Sequence, residues 1–166
     1  MSALPRTPHV RAGHGAALVL ALVLGAAGAG QALGAPASEG TNDLKVGDCF
    51  NSSADLDDYE HESAQAPTSV DVVPCANAHQ SETFAVFTLP EGAYPGEKKV
   101  IAMAGEKCSG DALADYVGPD AKLPDSMSAY YYYPRSGNWA LGDRQITCFL
   151  GDSAGPTTGS VRATAT

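Results

Sequence analysis

The sequence predicts an α+β fold, in which one main helix packs on a small, mostly antiparallel sheet and two disulfides hold the domain together. Strand-like segments precede and follow a single stretch with helical spacing, and the chain has the length of one domain. The four cysteines, an even number, indicate the two disulfides. Composition excludes some partners. The formal net charge of −9, from 19 acidic and 10 basic residues, argues against nucleic acid and against a membrane surface bound through a basic face.

Residues 1–37 are typical of an export signal. Arg6 and Arg11 precede every acidic residue, residues 16–24 form an uninterrupted apolar run, and small residues recur up to Ala37. The apolar run is short for a membrane span of about 20 residues, which favours cleavage over an uncleaved anchor. Both alternatives place the rest of the chain outside the cytoplasm, secreted or held at the membrane by the N-terminal segment alone.

The folded domain is predicted over residues 44–151, after a linker at 38–43. Segment 82–89 carries apolar residues on both faces, which predicts a central strand with Phe84 and Val86 on one face and Ala85 and Phe87 on the other. The remaining strands are predicted at residues 44–50, 69–75, 128–133 and 144–150.

Apolar residues at helical spacing predict a helix over Glu97–Cys108. A second, shorter helix is predicted over Asp111–Val117, where Gly118 and Pro119 stop it. Residues 152–166 are rich in Gly, Ser, Thr and Ala, which predicts a disordered tail.

The four cysteines predict two disulfides, because they all lie in the exported part of the chain. Three pairings are possible. We favour Cys49–Cys75, which closes the acidic segment between these two cysteines, and Cys108–Cys148, which links the helix to the last strand. Zinc bound by Cys75 and His79 is the alternative, but their spacing is poor, no CxxC is present and the compartment is oxidising. No metal and no cofactor is therefore expected.

Two further motifs suggest chemistry that we do not favour. Residues 151–155 fit G-x-S-x-G and place Ser153 as a nucleophile, with His79 as its base, in a small secreted hydrolase. Such a serine needs a helix after it, whereas Pro156 and a Thr/Gly tail follow. Residues 55–62 carry five acids but fail the EF-hand template, so a solvated loop is favoured over a calcium site. We expect no enzyme activity.

A run of four tyrosines, residues 130–133, is the strongest anomaly of composition. On a strand, Tyr130 and Tyr132 face one side and the other two face the opposite side. Core packing is the commoner role for such a run. If one pair is exposed near Trp139 and Arg135, it forms a candidate binding surface of Tyr130, Tyr132, Trp139 and Arg135, suited to a glycan or a peptide.

Several short motifs together resemble the actinobacterial septum formation domain family. They are V-G-D-C-F at residues 46–50, V-P-C with His79 and E-T-F-A-V-F at residues 73–87, Y-P-G at 94–96, Cys108, and W-x-x-G-D-R with Cys148 at residues 139–148. The resemblance covers about residues 44–150 and implies an exported or membrane-tethered envelope domain with no established activity. It also implies that the cysteines, Gly47, Gly142 and Trp139 are scaffold residues.

These observations predict a non-catalytic, extracytoplasmic module of the cell envelope that acts in septum formation and cell division. Its expected partner is an envelope protein or a wall glycan such as peptidoglycan, not nucleic acid. The first alternative is an exported ligand-binding or sensing domain with a pocket between helix and sheet. The second is the hydrolase that uses Ser153.

Overall fold

The computed structural model of the protein describes residues 37–56 and 66–163. The predicted signal segment up to residue 36 and residues 57–65 of the acidic loop lie outside the described residues. The described elements follow the chain in this order: β1 (Ala37–Gly40), β2 (Cys49–Asn51), β3 (Ser69–Val73), β4 (Ser81–Thr88), α1 (Glu97–Cys108), α2 (Asp111–Val117), β5 (Met127–Tyr132), α3 (Ser136–Ala140) and β6 (Gln145–Asp152).

The strands form one six-stranded sheet in the order β1-β3-β2-β4-β6-β5, and every neighbouring pair is antiparallel. The predicted fold class is confirmed. The last strand, β6, lies inside the sheet between β4 and β5, while β1 and β5 are the edges. None of the helices in the described part of the chain is long and apolar enough to cross a membrane.

Strand β4 is central, as the sequence predicts, but its two faces are not those of a regular strand. The register with β6 shifts between Thr83 and Ala85, which is the signature of a β-bulge. Phe84 and Ala85 consequently join the same buried cluster, although alternation places them on opposite faces. This corrects the predicted face assignment, because one extra residue at a bulge reverses the alternation beyond it.

Both faces of the sheet are covered by apolar side chains. Along β6, Ile146, Cys148 and Leu150 belong to the main core, to which Val100, Ala104 and Cys108 of α1 also belong. Phe149 points to the opposite face. It lies in a second, smaller cluster whose buried members are Leu44, Phe50, Val70, Tyr132 and Phe149.

The two predicted helices are present with the predicted bounds. α1 buries Val100, Ala104 and Cys108 along one stripe, as helical spacing requires. It begins after Gly96, whose φ of 96° is a conformation that favours glycine. The third helix, α3, lies in the segment between β5 and β6 that the turn-rich sequence does not mark as helical.

The favoured disulfide pairing is confirmed. Cys49 and Cys75 are joined with a Cα–Cα distance of 5.2 Å, and Cys108 and Cys148 with one of 5.5 Å. The first links β2 to the turn after β3, and the second links the last residue of α1 to the middle of β6. No cysteine is left as a free thiol.

Both predicted end segments are corrected where the structure describes them. Residues 38–40 of the predicted linker belong to β1, which pairs with β3. Asp152, the first residue of the predicted disordered tail, is the last residue of β6. Residues 153–163, here called the strap, then pack back against the domain. Thr157 and His79 exchange two backbone hydrogen bonds of 2.9 and 2.8 Å. Sequence patterns miss both segments because their partners lie far away in the chain.

Candidate functional site

The tyrosine run lies on β5, at the edge of the sheet, and its even-numbered members face the smaller core. Tyr132 is 4% exposed, and its ring centroid lies 4.6 Å from that of Phe149. Tyr130 is half-buried and stacks on the same phenylalanine at 5.7 Å. The pair that the sequence offers as a contact surface is therefore directed towards the side chains of β6.

Trp139 is also an internal residue. It is 6% exposed, its Nε1 donates to the carbonyl of Gly92 at 2.8 Å, and the Tyr94 ring meets it edge-on at 5.6 Å. The guanidinium of Arg144 lies 3.9 Å from the indole centroid, a cation–π distance. The predicted binding surface is thus corrected at Tyr132 and Trp139, because buried side chains offer no area to a partner. A binding role for Tyr130 and Arg135 stays a prediction.

The odd-numbered tyrosines are half-buried and lie on the face of the sheet that packs against the main core. The rings of Tyr131 and Tyr133 lie 6.2 Å apart, and the Tyr133 hydroxyl donates to Oε1 of Glu97 at 3.3 Å. Arg135 Nε lies 3.6 Å from the same carboxylate oxygen. Together with Tyr94, these residues form what we call the tyrosine patch: Tyr94, Glu97, Tyr131, Tyr133 and Arg135.

Two phenols of the tyrosine patch, those of Tyr94 and Tyr133, have raised pKa values. Burial raises the pKa of Tyr94, and the charge of Glu97 adds to this effect. Burial likewise raises the pKa of Tyr133, while Arg135 opposes it. The patch thus combines aromatic faces, hydroxyl and guanidinium donors and one carboxylate acceptor, the groups that bind sugar hydroxyls or an exposed peptide.

A second arrangement surrounds Glu82, a carboxylate on β4 that is 3% exposed. Its Oε1 accepts hydrogen bonds from the Tyr116 hydroxyl at 2.6 Å and from Ser160 Oγ at 2.5 Å, and its Oε2 accepts from the Val161 N–H at 2.9 Å. Burial, followed by this bond to Glu82, raises the pKa of Tyr116. Glu82 therefore joins β4, α2 and the strap through one buried charge.

His79 lies beside this carboxylate and is 1% exposed. Its Nδ1 is 2.9 Å from the Asn77 carbonyl, and its Nε2 is 3.5 Å from Thr157 Oγ1. Ligand atoms of Cys49, His79 and Glu82 lie within 4.8 Å of one another. Because the Cys49 sulfur is bonded to that of Cys75, it has no thiolate to give a metal. In this disulfide form the three residues lie close together, each bonded to other residues, and Cys49 cannot serve as a zinc ligand.

The proposed nucleophile does not meet its proposed base. Ser153 Oγ donates to the carbonyl of Ser126 at 3.0 Å, whereas the ring nitrogens of His79 contact Asn77 and Thr157. A serine nucleophile needs a hydrogen bond to its base. The described contacts thus give no support to the hydrolase alternative.

A partly open cavity of about 10 Å³ lies between the strap and strands β4 and β6. Glu82, Met127 and Leu150 contribute to its walls. Pockets for small molecules usually measure about 300–1,000 Å³, whereas a cavity of this size has room for about one water molecule. It also lies under the strap and not between helix and sheet, where the ligand-binding alternative places its pocket.

The fold and its two cross-links define a small, disulfide-bonded α+β domain, and comparison with known proteins places it in a family. Residues 37–148 match the family model described as septum formation, and the chain belongs to this family. The matched region begins with β1 and ends within β6, before the strap. No curated protein matches the chain, and no solved structure does.

Sequence reasoning missed Glu82 and the tyrosine patch. An acidic residue at the start of an apolar strand is a signal for a buried carboxylate, but its donors come from residues 116, 160 and 161. For the tyrosines, alternation gives the two pairs but not which of them packs on Phe149.

Proposed function

We propose that this protein is a non-catalytic, extracytoplasmic module of the cell envelope that acts in septum formation by binding a partner. The observation that carries the proposal is family membership over residues 37–148. The partner is an envelope protein or a wall glycan, and the tyrosine patch is the surface that binds it.

The two disulfides support the extracytoplasmic location. Disulfides form and persist in oxidising compartments outside the cytoplasm, and here both are in the structured part of the domain. The sequence of residues 1–37 supports the same location, because it has the arrangement of an export signal.

The chemistry of the tyrosine patch supports binding. Tyr131 and Tyr133 are half-buried and adjacent, so their rings are held in place yet remain accessible. Fixed aromatic rings beside a guanidinium and a carboxylate lose little conformational entropy when a partner binds. Aromatic residues and arginine are also the types enriched at the energetic centres of interfaces.

The test is capture of cross-linked partners from intact cells that carry a tagged copy. We expect the unmodified chain to retain one stable partner, and the variant Tyr131→Ser with Arg135→Ala to lose it. Leu141→Ala is the matched control, because Leu141 is 89% exposed and lies outside the patch. Sedimentation with isolated cell walls, using the same three chains, separates a glycan partner from a protein partner. Equal capture by all three chains would exclude the tyrosine patch as the binding surface.

A further inference from the structure

The strap binds to the rest of the domain as an extended segment, through backbone hydrogen bonds on two sides. On one side, His79 and Thr157 exchange backbone hydrogen bonds, and the Gly159 N–H donates to the Cys75 carbonyl at 2.6 Å. At the far end, the Ala163 N–H donates to the carbonyl of Tyr116 at 2.9 Å. We call this the strap groove and define it by Cys75, His79, Glu82 and Tyr116.

The strap groove selects its occupant through a buried charge. Two of the three hydrogen bonds that Glu82 accepts in the described structure come from the strap, from Ser160 and Val161. If the strap leaves, Glu82 keeps only the bond from Tyr116. A buried carboxylate that loses its donors destabilises the fold. An empty strap groove therefore favours binding of a segment that offers the same N–H and O–H donors to Glu82.

The strap is separable from the rest of the domain. It follows the region that matches the family, which ends at residue 148. Within the strap, Val161 is the hydrophobic side chain that packs against the main core, so little apolar surface is exposed when the strap opens. The link between β6 and the rest of the strap contains Gly155 and Pro156, and Gly155 adopts a φ of 129°. Ser153, which precedes this link, is held by hydrogen bonds to the carbonyl of Ser126.

We propose that the strap is exchanged between two copies of this chain, so that the strap groove of each copy binds residues 157–163 of the other. A second copy provides the same donors in the same order, and the exchange is reciprocal. Every contact of the closed chain is therefore formed again in a symmetric dimer. The link at Gly155 and Pro156 is the hinge. The strap groove shares no residue with the tyrosine patch, so this inference does not rest on the proposed function.

The first test changes the length of the hinge in the full chain. Deleting Gly155 and Pro156 shortens the link by about 7 Å, which prevents the strap from reaching its own groove but leaves it able to reach that of a partner. We expect this variant to be a dimer by light scattering, and the same variant with Val161→Asp to be a monomer. Inserting four Gly/Ser residues after Gly155 is the matched control and should leave a monomer.

The second test uses the unmodified chain and does not depend on the folding of a shortened variant. Two copies with different affinity tags are mixed at high concentration and then diluted, and each tag is captured in turn. We expect doubly tagged dimers, and at least tenfold fewer of them when both copies carry Val161→Asp. A shortened variant that folds as a monomer, or a dimer that persists with Val161→Asp, would overturn the exchange. So would the absence of doubly tagged dimers at every concentration.

Discussion

Glu82 shows how much of this structure depends on one side chain. Its carboxylate is buried on the central strand and accepts hydrogen bonds from a helix and from the strap. Charge-assisted hydrogen bonds contribute more to stability than neutral ones. The strap is held to the domain by these hydrogen bonds together with the packing of Val161 on the main core, and we expect single substitutions of Glu82 and its partners to have large effects.

We predict that Glu82→Gln lowers the free energy of unfolding by about 2 kcal/mol, because the amide is a weaker acceptor and presents a donor where three donors already converge. Urea unfolding with the disulfides intact measures this. The control is Glu91→Gln, since the Glu91 side chain is 85% exposed and its ion pair with Arg144 spans 3.4 Å. An exposed pair of this kind contributes little, so equal effects of the two substitutions would contradict the central role of Glu82.

We predict that the free energy of unfolding decreases at alkaline pH because of Tyr116. Burial and the bond to Glu82 raise its pKa in the folded chain above the ordinary value of 10.0. The folded state therefore holds this proton at pH values where the unfolded chain has released it. The stabilisation is complete below about pH 10 and is lost as the pH rises from there towards the folded pKa. Unfolding free energies measured between about pH 9 and pH 11 should fall, and they should fall less steeply in Tyr116→Phe.

At the scale of elements, the segment from α3 to β6 explains the W-x-x-G-D-R motif. The Arg144 guanidinium stacks on Trp139, and its Nη1 donates to the carbonyls of Trp139 and Asp143 at 2.7 and 2.8 Å. Gly142 has a φ of 94° between them, which favours glycine at the turn. The motif is thus a structural unit that fixes α3 against the start of β6.

We predict that Arg144→Lys destabilises the domain by about 1–2 kcal/mol, because an ammonium cannot stack as a planar group and donate to both carbonyls. Trp139 is the single tryptophan of the chain, so its fluorescence reports the local change directly. Arg135→Lys is the matched control, since Arg135 contacts Glu97 near the surface. An unchanged emission spectrum and stability in Arg144→Lys would contradict this role of the stack.

The elements that the sequence predicts best are those whose signals are local. Helix α1 follows from Val100, Ala104 and Cys108 at helical spacing, and β4 follows from its apolar residues on both faces. The bulge after Thr83 and the orientation of the tyrosine run could not be predicted, because both depend on pairing with β6. The strap could not be predicted either, since its composition is typical of disorder and Glu82 is 79 residues away from Val161.

At the scale of the whole molecule, the two disulfides stabilise different parts of the domain. Cys49–Cys75 joins residues 26 apart and links β2 to the turn after β3, and Cys108–Cys148 joins residues 40 apart through the main core. The chain-entropy estimate gives about 3.5 and about 4 kcal/mol for these loops. Such contributions are comparable to a large part of the net stability of a small domain, about 5–15 kcal/mol.

We predict that replacing Cys108 and Cys148 together by Ala lowers the free energy of unfolding by about 4 kcal/mol, slightly more than the same change at Cys49 and Cys75. The loops differ in length, and the Cys108–Cys148 bridge also fills the main core. Urea unfolding of the two double variants makes the comparison, and each should retain one disulfide by thiol titration. Four reactive thiols in the folded, unmodified chain would contradict the cross-linked structure.

The position of β6 inside the sheet has a consequence for how the chain acquires its shape. Neither β4 nor β5 has its neighbour on that side until residues 145–152 are available, and Cys108 has no partner before residue 148. A polypeptide that is synthesised N-terminus first cannot complete this architecture until residue 152 has been released. Contacts between such distant positions slow folding, so we expect the sheet to close late, after residues 145–152 have become available.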